Sequence, residues 1–223
     1  MNLVNCALRH GIKQFINMGS SCMYPKDYKS PLEESYILDA PLESSNEGYA
    51  LAKITVAKLC EYISNQYGLN YKTLIPCNLY GRWDKFGVAN SHMIPAVIRK
   101  IELAKQNNHN IVEIWGSGNA RREFMYAGDC ADAIFYSIER IVQIPQYMNI
   151  GLGYDYSINE YYNYVAQIIG YTGNFIHDTS KPEGMLHKLT SAMHLDNLGW
   201  KSQHGIVDGI SKTYEFYKEH INE

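Results

Sequence analysis

Residues 14–25 read Gln-Phe-Ile-Asn-Met-Gly-Ser-Ser-Cys-Met-Tyr-Pro. Gln14–Met18 predicts a short β-strand, and Gly19 with the serines behind it breaks that strand at once. Upstream, Met1–His10 places Leu3, Val4, Ala7 and Leu8 on one side, the pattern of the end of an amphipathic helix with Gly11 as its C-cap. Downstream, Ser20–Ser45 is rich in Pro, Ser and Glu and predicts loop. Asn46–Tyr67 then carries the longest helical pattern. Tyr49, Ala50, Ile54, Ala57, Leu59, Cys60 and Ile63 give it a broad apolar face, and Gly68 and Asn70 end it. Tyr71–Pro76 is a second compact strand, after which Asn78-Leu79-Tyr80-Gly81 turns away. Helix–strand–helix–strand implies parallel strands joined by right-handed crossovers, an α/β fold.

Beyond Gly81 the pattern is mixed. Helices are expected at Ile94–Gln106, Asp129–Val142, Ser157–Gly170 and Ile206–Ile221, the third opened by a Ser157-x-x-Glu160 capping box. Strands are expected at Ile111–Trp115 and Tyr147–Ile150, with Gly116-Ser117-Gly118 as a turn. The expected division is 1–83 as the later half of a Rossmann-like domain and 84–223 as mainly a smaller mixed α/β substrate-binding lobe, with about 127–151 returning to the first sheet.

At 223 residues the chain is long enough for a substantial core, and 46% hydrophobic with 19% charged residues is an ordinary globular mix. A net charge of −3 makes no case for nucleic acid. Nineteen tyrosines suit a half-polar core or a wet cleft. Cys6, Cys22, Cys60, Cys77 and Cys130 form no CxxC pair, which argues against a disulfide framework or structural zinc and for a reducing cytoplasm. No apolar run is long enough to span a bilayer, and no signal-peptide pattern opens the chain.

A dinucleotide-binding sheet normally starts with strand, Gly-rich turn and helix. Here Met1 already lies in a helical pattern, and no G-x-G-x-x-G follows a strand. The expectation is a Rossmann-like sheet whose N-terminal strands are missing, through a fragment, an internal start, or a cofactor half supplied elsewhere.

Tyr49 and Lys53 stand four apart on one predicted helix and so share a face. Tyr214 and Lys218 repeat that spacing near the C-terminus without such surroundings. A free phenol titrates near ~10, and an adjacent ammonium favours its ionised form. Such a tyrosine can exchange a proton with a sugar oxygen, while Ser20 hydrogen-bonds that oxygen as charge develops. The alternative is a packed Tyr and a solvated Lys. Cys22 is either a small buried hydrophobe or an acid/base beside a carbonyl carbon, and His92 either structural or its partner. Arg121-Arg122-Glu123 is either a clamp for a diphosphate or a surface ion-pair cluster. Trp115 either stacks on a base or packs. His177, His187, His194 and His204 lack metal spacing and read as surface residues; no metal is expected.

Together, Gly19–Pro25, Asn46–Lys53 and Asn78–Gly81 resemble the extended short-chain dehydrogenase/reductases that act on nucleotide sugars. Asn90–Pro95, Trp115–Gly118, Arg122–Phe124 and Ser180–Gly184 narrow the resemblance to the branch of NADPH-dependent epimerase/reductases of GDP-4-keto-6-deoxyhexoses. It implies Ser20, Tyr49 and Lys53 as the reductase triad and Cys22 and His92 as the epimerisation acid/base pair. It implies NADP(H) contacts at Tyr49, Lys53, Pro76, Leu79 and His92, and GDP-sugar contacts at Asn78, Arg99, Lys100, Trp115 and Arg122. It further implies a homodimer built on the helix carrying Tyr49 and Lys53. Dehydratases of the superfamily carry an Asp-Glu pair where this chain has Ser21-Cys22. Lys100 stands where Arg is usual, Met185-Leu186-His187-Lys188 replaces a typical Thr-Pro-Arg-Lys, and Ser191 takes a usually acidic position. Epimerase/reductases of GDP-heptoses share this core. Two further readings stay open: a cofactor-free remnant that binds nucleotide sugar without redox chemistry, and an epimerase alone.

Overall fold

The computed structural model describes residues 1–87, 91–181 and 184–220. Asn90 of the Asn90–Pro95 motif, Pro182 and Glu183 of the Ser180–Gly184 motif, and Ile221 of the expected closing helix lie outside the described residues. The chain divides into two compact units, each built from three segments. The first is Met1–Cys77, Cys130–Gly153 and Leu189–Lys201; the second is Asn78–Asp129, Tyr154–Lys188 and Ser202–Glu223.

The first unit contains α1 (Asn2–Arg9), β1 (Gln14–Met18), α2 (Glu47–Tyr67) and β2 (Asn70–Pro76). Strand β1 pairs with β2 in parallel register, Gln14 opposite Asn70 and Met18 opposite Leu74. A later parallel strand, Tyr147–Ile150, joins the other edge of β2, giving a three-stranded sheet with β2 in the centre. The central strand is accordingly the apolar one: Tyr71, Leu74 and Ile75 are sealed from solvent. Val4 and Ala7 of α1 pack with Cys60, Ile63 and Tyr71, while Ile54 and Ala57 of α2 pack with Ile75, Met23, Tyr24 and Leu32. Burying each of the Val, Ile, Leu and Met side chains among these contributes roughly 1.5–3 kcal/mol. Both Gly11 and Gly68 take left-handed backbone angles just past the helices they close.

The predicted loop 20–45 is more ordered than its composition suggests. It holds short 3-10 turns at Ser21–Met23, Glu34–Tyr36 and Ser44–Asn46, and Leu32 makes a parallel bridge to Thr190.

The second unit holds β3 (Asn78–Tyr80), α3 (Met93–Gln106), β4 (Ile111–Trp115), β5 (Arg121–Arg122) and β6 (Phe124–Tyr126). Helix α4 (Ala127–Glu139) starts at the end of this unit and continues into the first, where β7 (Tyr147–Ile150) follows. Then come β8 (Tyr156–Ser157), α5 (Ile158–Ile169), β9 (Asn174–Asp178) and β10 (His187–Lys188). They are followed by α6 (Met193–Asn197) in the first unit and α7 (Ile206–His220) in the second. The core of the second unit joins α3, α5 and α7 through Ile94, Ile98, Ile101, Val165, Ile169, Ile210 and Tyr217, with Val112 and Ile114 of β4 beneath. Among the described residues no helix is long and apolar enough to cross a membrane.

Three sequence readings change here. Asn78–Tyr80 does not turn away but pairs in parallel with Phe124–Tyr126. The helix expected at Asp129–Val142 runs Ala127–Glu139, because Asp129 sits inside its first turn and accepts the backbone N–H groups of Gln203 and His204 instead of capping the helix. His204 is not a surface histidine: its Nδ1 lies 2.6 Å from buried Asp129, and its ring packs on Tyr126. The capping box is formed as read. Ser157 accepts the Glu160 N–H at 3.2 Å, and Glu160 accepts the Ser157 N–H at 2.7 Å. Ser157→Ala is expected to destabilise the protein by about 1 kcal/mol, readable as a lower urea midpoint at unchanged slope.

Candidate active site

The site begins where β1 ends. Gly19 N–H donates to the Leu74 carbonyl of β2 at 2.7 Å, so the chain hugs the neighbouring strand. A Cβ at Gly19 would lie 3.0 Å from Met23 Sδ and 3.2 Å from the Leu74 oxygen, which leaves room for no larger residue without a shift. Ser20, extended, caps the 3-10 turn Ser21–Met23: its Oγ accepts the Cys22 N–H at 3.2 Å. One lone pair of that hydroxyl is thereby engaged and its proton remains free to donate. The Cys22 side chain is half-buried, while Met23 and Tyr24 behind it are buried. Tyr24 donates its hydroxyl to Asn149 at 2.6 Å, and burial pushes that phenol well above its ordinary pKa.

Tyr49 lies in the first turn of α2, 49% exposed. One turn later Lys53, half-buried, donates from Nζ to the carbonyl of Met18, the last residue of β1, at 3.0 Å. The same Nζ stands 5.7 Å from the Tyr49 ring centroid. Helix α2 thus delivers a phenol and an ammonium to the carboxyl end of the strand from which Ser20 and Cys22 depart. That end is where open parallel sheets carry their ligands. The Lys53–Met18 bond uses one of the ammonium's three protons; the other two suit sugar hydroxyls, so the donor set fits the ribose end of a nicotinamide cofactor. Pro76, half-buried, closes β2 in the same unit.

The remaining candidates belong to the second unit. His92 sits just before α3, exposed, with Nδ1 3.1 Å from the Asp84 carboxylate. Asp84 was not singled out from the sequence. It holds one ring nitrogen of the imidazole, and its only sequence signal is the short Arg82–Lys85 turn after Gly81. Asn78 donates from Nδ2 to the Glu123 carbonyl at 2.8 Å, and Leu79 follows it in β3.

On α3, Arg99 and Lys100 are half-buried, and the Lys100 ammonium is bonded to the Glu113 carbonyl of β4. Burial lowers the Lys100 pKa from its usual value. Trp115 is 61% exposed, its Nε1–H donating to Glu113 at 2.9 Å and the Lys181 ammonium 5.7 Å from its ring centroid. The arginine pair splits. Arg121 forms the ion pair, its Nε 2.6 Å from Asp155, and His187 contacts the other oxygen of that carboxylate. Arg122 faces the opposite side of the two-residue strand. It donates from Nη1 to the Arg121 carbonyl at 2.8 Å, and burial lowers its pKa. Among the described residues the half-buried Arg122 guanidinium forms no ion pair within 4 Å, and its forked donors suit an anion.

A profile of the NAD dependent epimerase/dehydratase family matches residues 1–151. The GDP-L-colitose synthase of Yersinia pseudotuberculosis is 54% identical over 223 residues, covering 100% of this chain and 72% of that protein. The GDP-L-fucose synthase of Azorhizobium caulinodans is 47% identical over 217 residues, 97% of this chain and 70% of that protein. Among solved structures, a GDP-mannoheptose C4 reductase from Campylobacter jejuni with NADP bound superposes with a TM-score of 0.87 at 33% identity, covering 97% of this chain and 73% of that one.

Proposed function

The chain belongs to the NAD dependent epimerase/dehydratase family, and on that premise we propose that it is an NADPH-dependent epimerase/reductase of a GDP-linked 4-keto sugar. The substrate assigned is a GDP-4-keto-6-deoxyhexose, converted by 3,5-epimerisation and 4-reduction to GDP-L-fucose or a related GDP-L-sugar. One observation carries the reading: Lys53 is bonded to the last carbonyl of β1, which brings the Tyr49 helix to the strand end that continues into Ser20 and Cys22. The relatives' names supply the GDP-L-sugar.

Bound NADPH supplies the hydride for the ketone carbon. Tyr49 gives its phenolic proton to the ketone oxygen, and the Ser20 hydroxyl donates to that oxygen as charge builds on it. Lys53, one turn after Tyr49 on α2, would hold the nicotinamide ribose with the ammonium protons that Met18 does not use. Pro76, Leu79 and His92 are assigned to the cofactor as well. Before reduction, one member of the Cys22–His92 pair removes a proton from the carbon next to the carbonyl. The other returns a proton to the opposite face of the resulting enolate, which inverts the stereocentre. Asp84 steadies His92 for this exchange. Arg122, Arg99 and Lys100 carry positive charge suited to the diphosphate, and Asn78 and Trp115 are assigned to the nucleotide sugar.

The test is saturable NADPH binding followed by cofactor fluorescence, then NADPH oxidation with GDP-4-keto-6-deoxymannose. Turnover that yields a GDP-L-sugar is expected; saturable binding without any turnover on GDP-4-keto hexoses or heptoses would sink the reading. Absence of cofactor binding would favour the nucleotide-sugar-binding remnant. A cytoplasmic location and a homodimer are assigned too, the dimer supported by the exposed Leu51 and Tyr62, which share one face of α2. Light scattering that returns only a 25.5 kDa species would refute the dimer.

A further inference from the structure

Strand β7 reads Tyr-Met-Asn-Ile, and its one amide is out of keeping with its neighbours. Asn149 is 1% exposed, between Met148 and Ile150, which are fully buried. An amide in such a place is costly unless its donors and acceptor are engaged. All the engagements lead to one stretch of chain. Its Oδ1 accepts the Tyr24 hydroxyl at 2.6 Å, its Nδ2–H donates to the Leu32 carbonyl at 3.0 Å, and its backbone N–H donates to Glu34 Oε1 at 2.7 Å. Tyr24 ends the 3-10 turn that carries Cys22, and Leu32 and Glu34 lie on the strap that follows. The strap is held from its other side by the 189–191 segment: Leu32 N–H donates to the Leu189 carbonyl at 2.8 Å, and Ser191 N–H to the Leu32 carbonyl at 2.9 Å.

We propose that Asn149 is a positioning residue for catalysis, the buried anchor that fixes the Ser20–Tyr24 turn and with it the Ser20 hydroxyl and the Cys22 thiol. The assignment of Ser20 and Cys22 to chemistry rests on the function proposed above; the anchoring itself does not. At its near end the turn is tied to β2 by the Gly19–Leu74 bond. At its far end the polar tie is the Tyr24–Asn149 bond. Cys22 lies between the two ties. Half-buried, it belongs to that turn, so a shift of the turn's backbone carries the thiol with it. Misplacing a reacting group by about 1 Å costs up to ~10²-fold in rate while substrate binding, made elsewhere, is spared.

The test uses the full chain carrying Cys6→Ser, which removes the exposed thiol of α1. Asn149→Ala empties the anchor, and Tyr24→Phe deletes only the hydroxyl that reaches it. Two readouts are taken. For turnover, kcat is expected to fall about tenfold or more with KM for the nucleotide sugar within about threefold. For geometry, the rate of Cys22 alkylation by iodoacetamide, followed by peptide mass, is expected to change several-fold while Cys60 and Cys130 stay unmodified. Both of those thiols are buried, with pKa values pushed up to about 11, so they report intactness of the fold. Wild-type kcat and wild-type Cys22 reactivity in Tyr24→Phe would overturn the proposal. So would losses that appear only together with modification of Cys60 and Cys130, since they would mark general loosening. Should Asn149→Ala fail to fold, Tyr24→Phe decides alone. Should the unmodified chain show no turnover, the proposed function fails and the alkylation readout still decides the anchor.

Discussion

Tyr49→Phe is expected to lower NADPH-dependent reduction of the 4-keto sugar by about 10²–10⁴-fold, the usual worth of a positioned general acid. The substitution removes one oxygen from a side chain that is 49% exposed, so no buried group is orphaned and the melting temperature should stay within about 1 °C. Cofactor affinity should fall little, because Lys53 keeps its bond to Met18 and its place on α2. The discriminating readout is solvent deuterium uptake at the carbons flanking the ketone. That exchange needs the Cys22–His92 pair and not the phenol, so it should continue while NADPH oxidation stops. Reduction at the wild-type rate in Tyr49→Phe would remove Tyr49 from the mechanism. Loss of both activities together, with the fold intact, would show that the two half-reactions share more machinery than assigned.

Cys22→Ala should give the converse. Deuterium uptake is expected to fall by about 10²-fold or more, and GDP-L-sugar formation with it. NADPH binding should be unchanged, because Ser20, Tyr49 and Lys53 stay in place. The Ser20 Oγ accepts the backbone N–H of residue 22 and so does not depend on which side chain that residue carries. Exchange at the wild-type rate in Cys22→Ala would place the base elsewhere. His92→Asn is the matching experiment on the second member of the assigned pair, and because inversion needs both a proton removed and a proton returned, each single variant should abolish it.

The first unit was legible because its signals are local. Gln14–Met18 followed by Gly19, a four-residue spacing of Tyr49 and Lys53 on a long helical pattern, and the compact Tyr71–Pro76 run each speak within a few residues, and each formed close to the expected place. The Ser157–Glu160 box formed for the same reason. The elements that were missed are those whose partners lie far away along the chain. Strands β5, β8 and β10 are two residues each, too short for alternation to register, and exist only because they meet one another. Asn78–Tyr80 read as a turn, since nothing local reveals Phe124–Tyr126 as its partner. His204 looked like a surface residue because the carboxylate it meets is Asp129. In the candidate site the same rule separates Ser20, Cys22, Tyr49 and Lys53, readable from a strand end and a helix face, from Asp84 and Asn149. Those two declare themselves only through the side chains and backbone groups they hold.

The bridge between Leu32 and Thr190 also constrains how the protein is made. During vectorial synthesis at about 5–20 residues per second, the strap behind Cys22 leaves the ribosome many seconds before the 189–191 segment that pins it. The segments of the first unit, Met1–Cys77, Cys130–Gly153 and Leu189–Lys201, are separated by all but the last stretch of the second. A nascent chain halted near position 150 therefore carries Ser20, Cys22, Tyr49 and Lys53 complete in sequence, yet its strap has no closing segment. Non-local closure of this kind is slow relative to local helix formation. Until residues 189–191 have emerged, the strap behind the Ser20–Tyr24 turn therefore lacks the segment that bonds to it at Leu32.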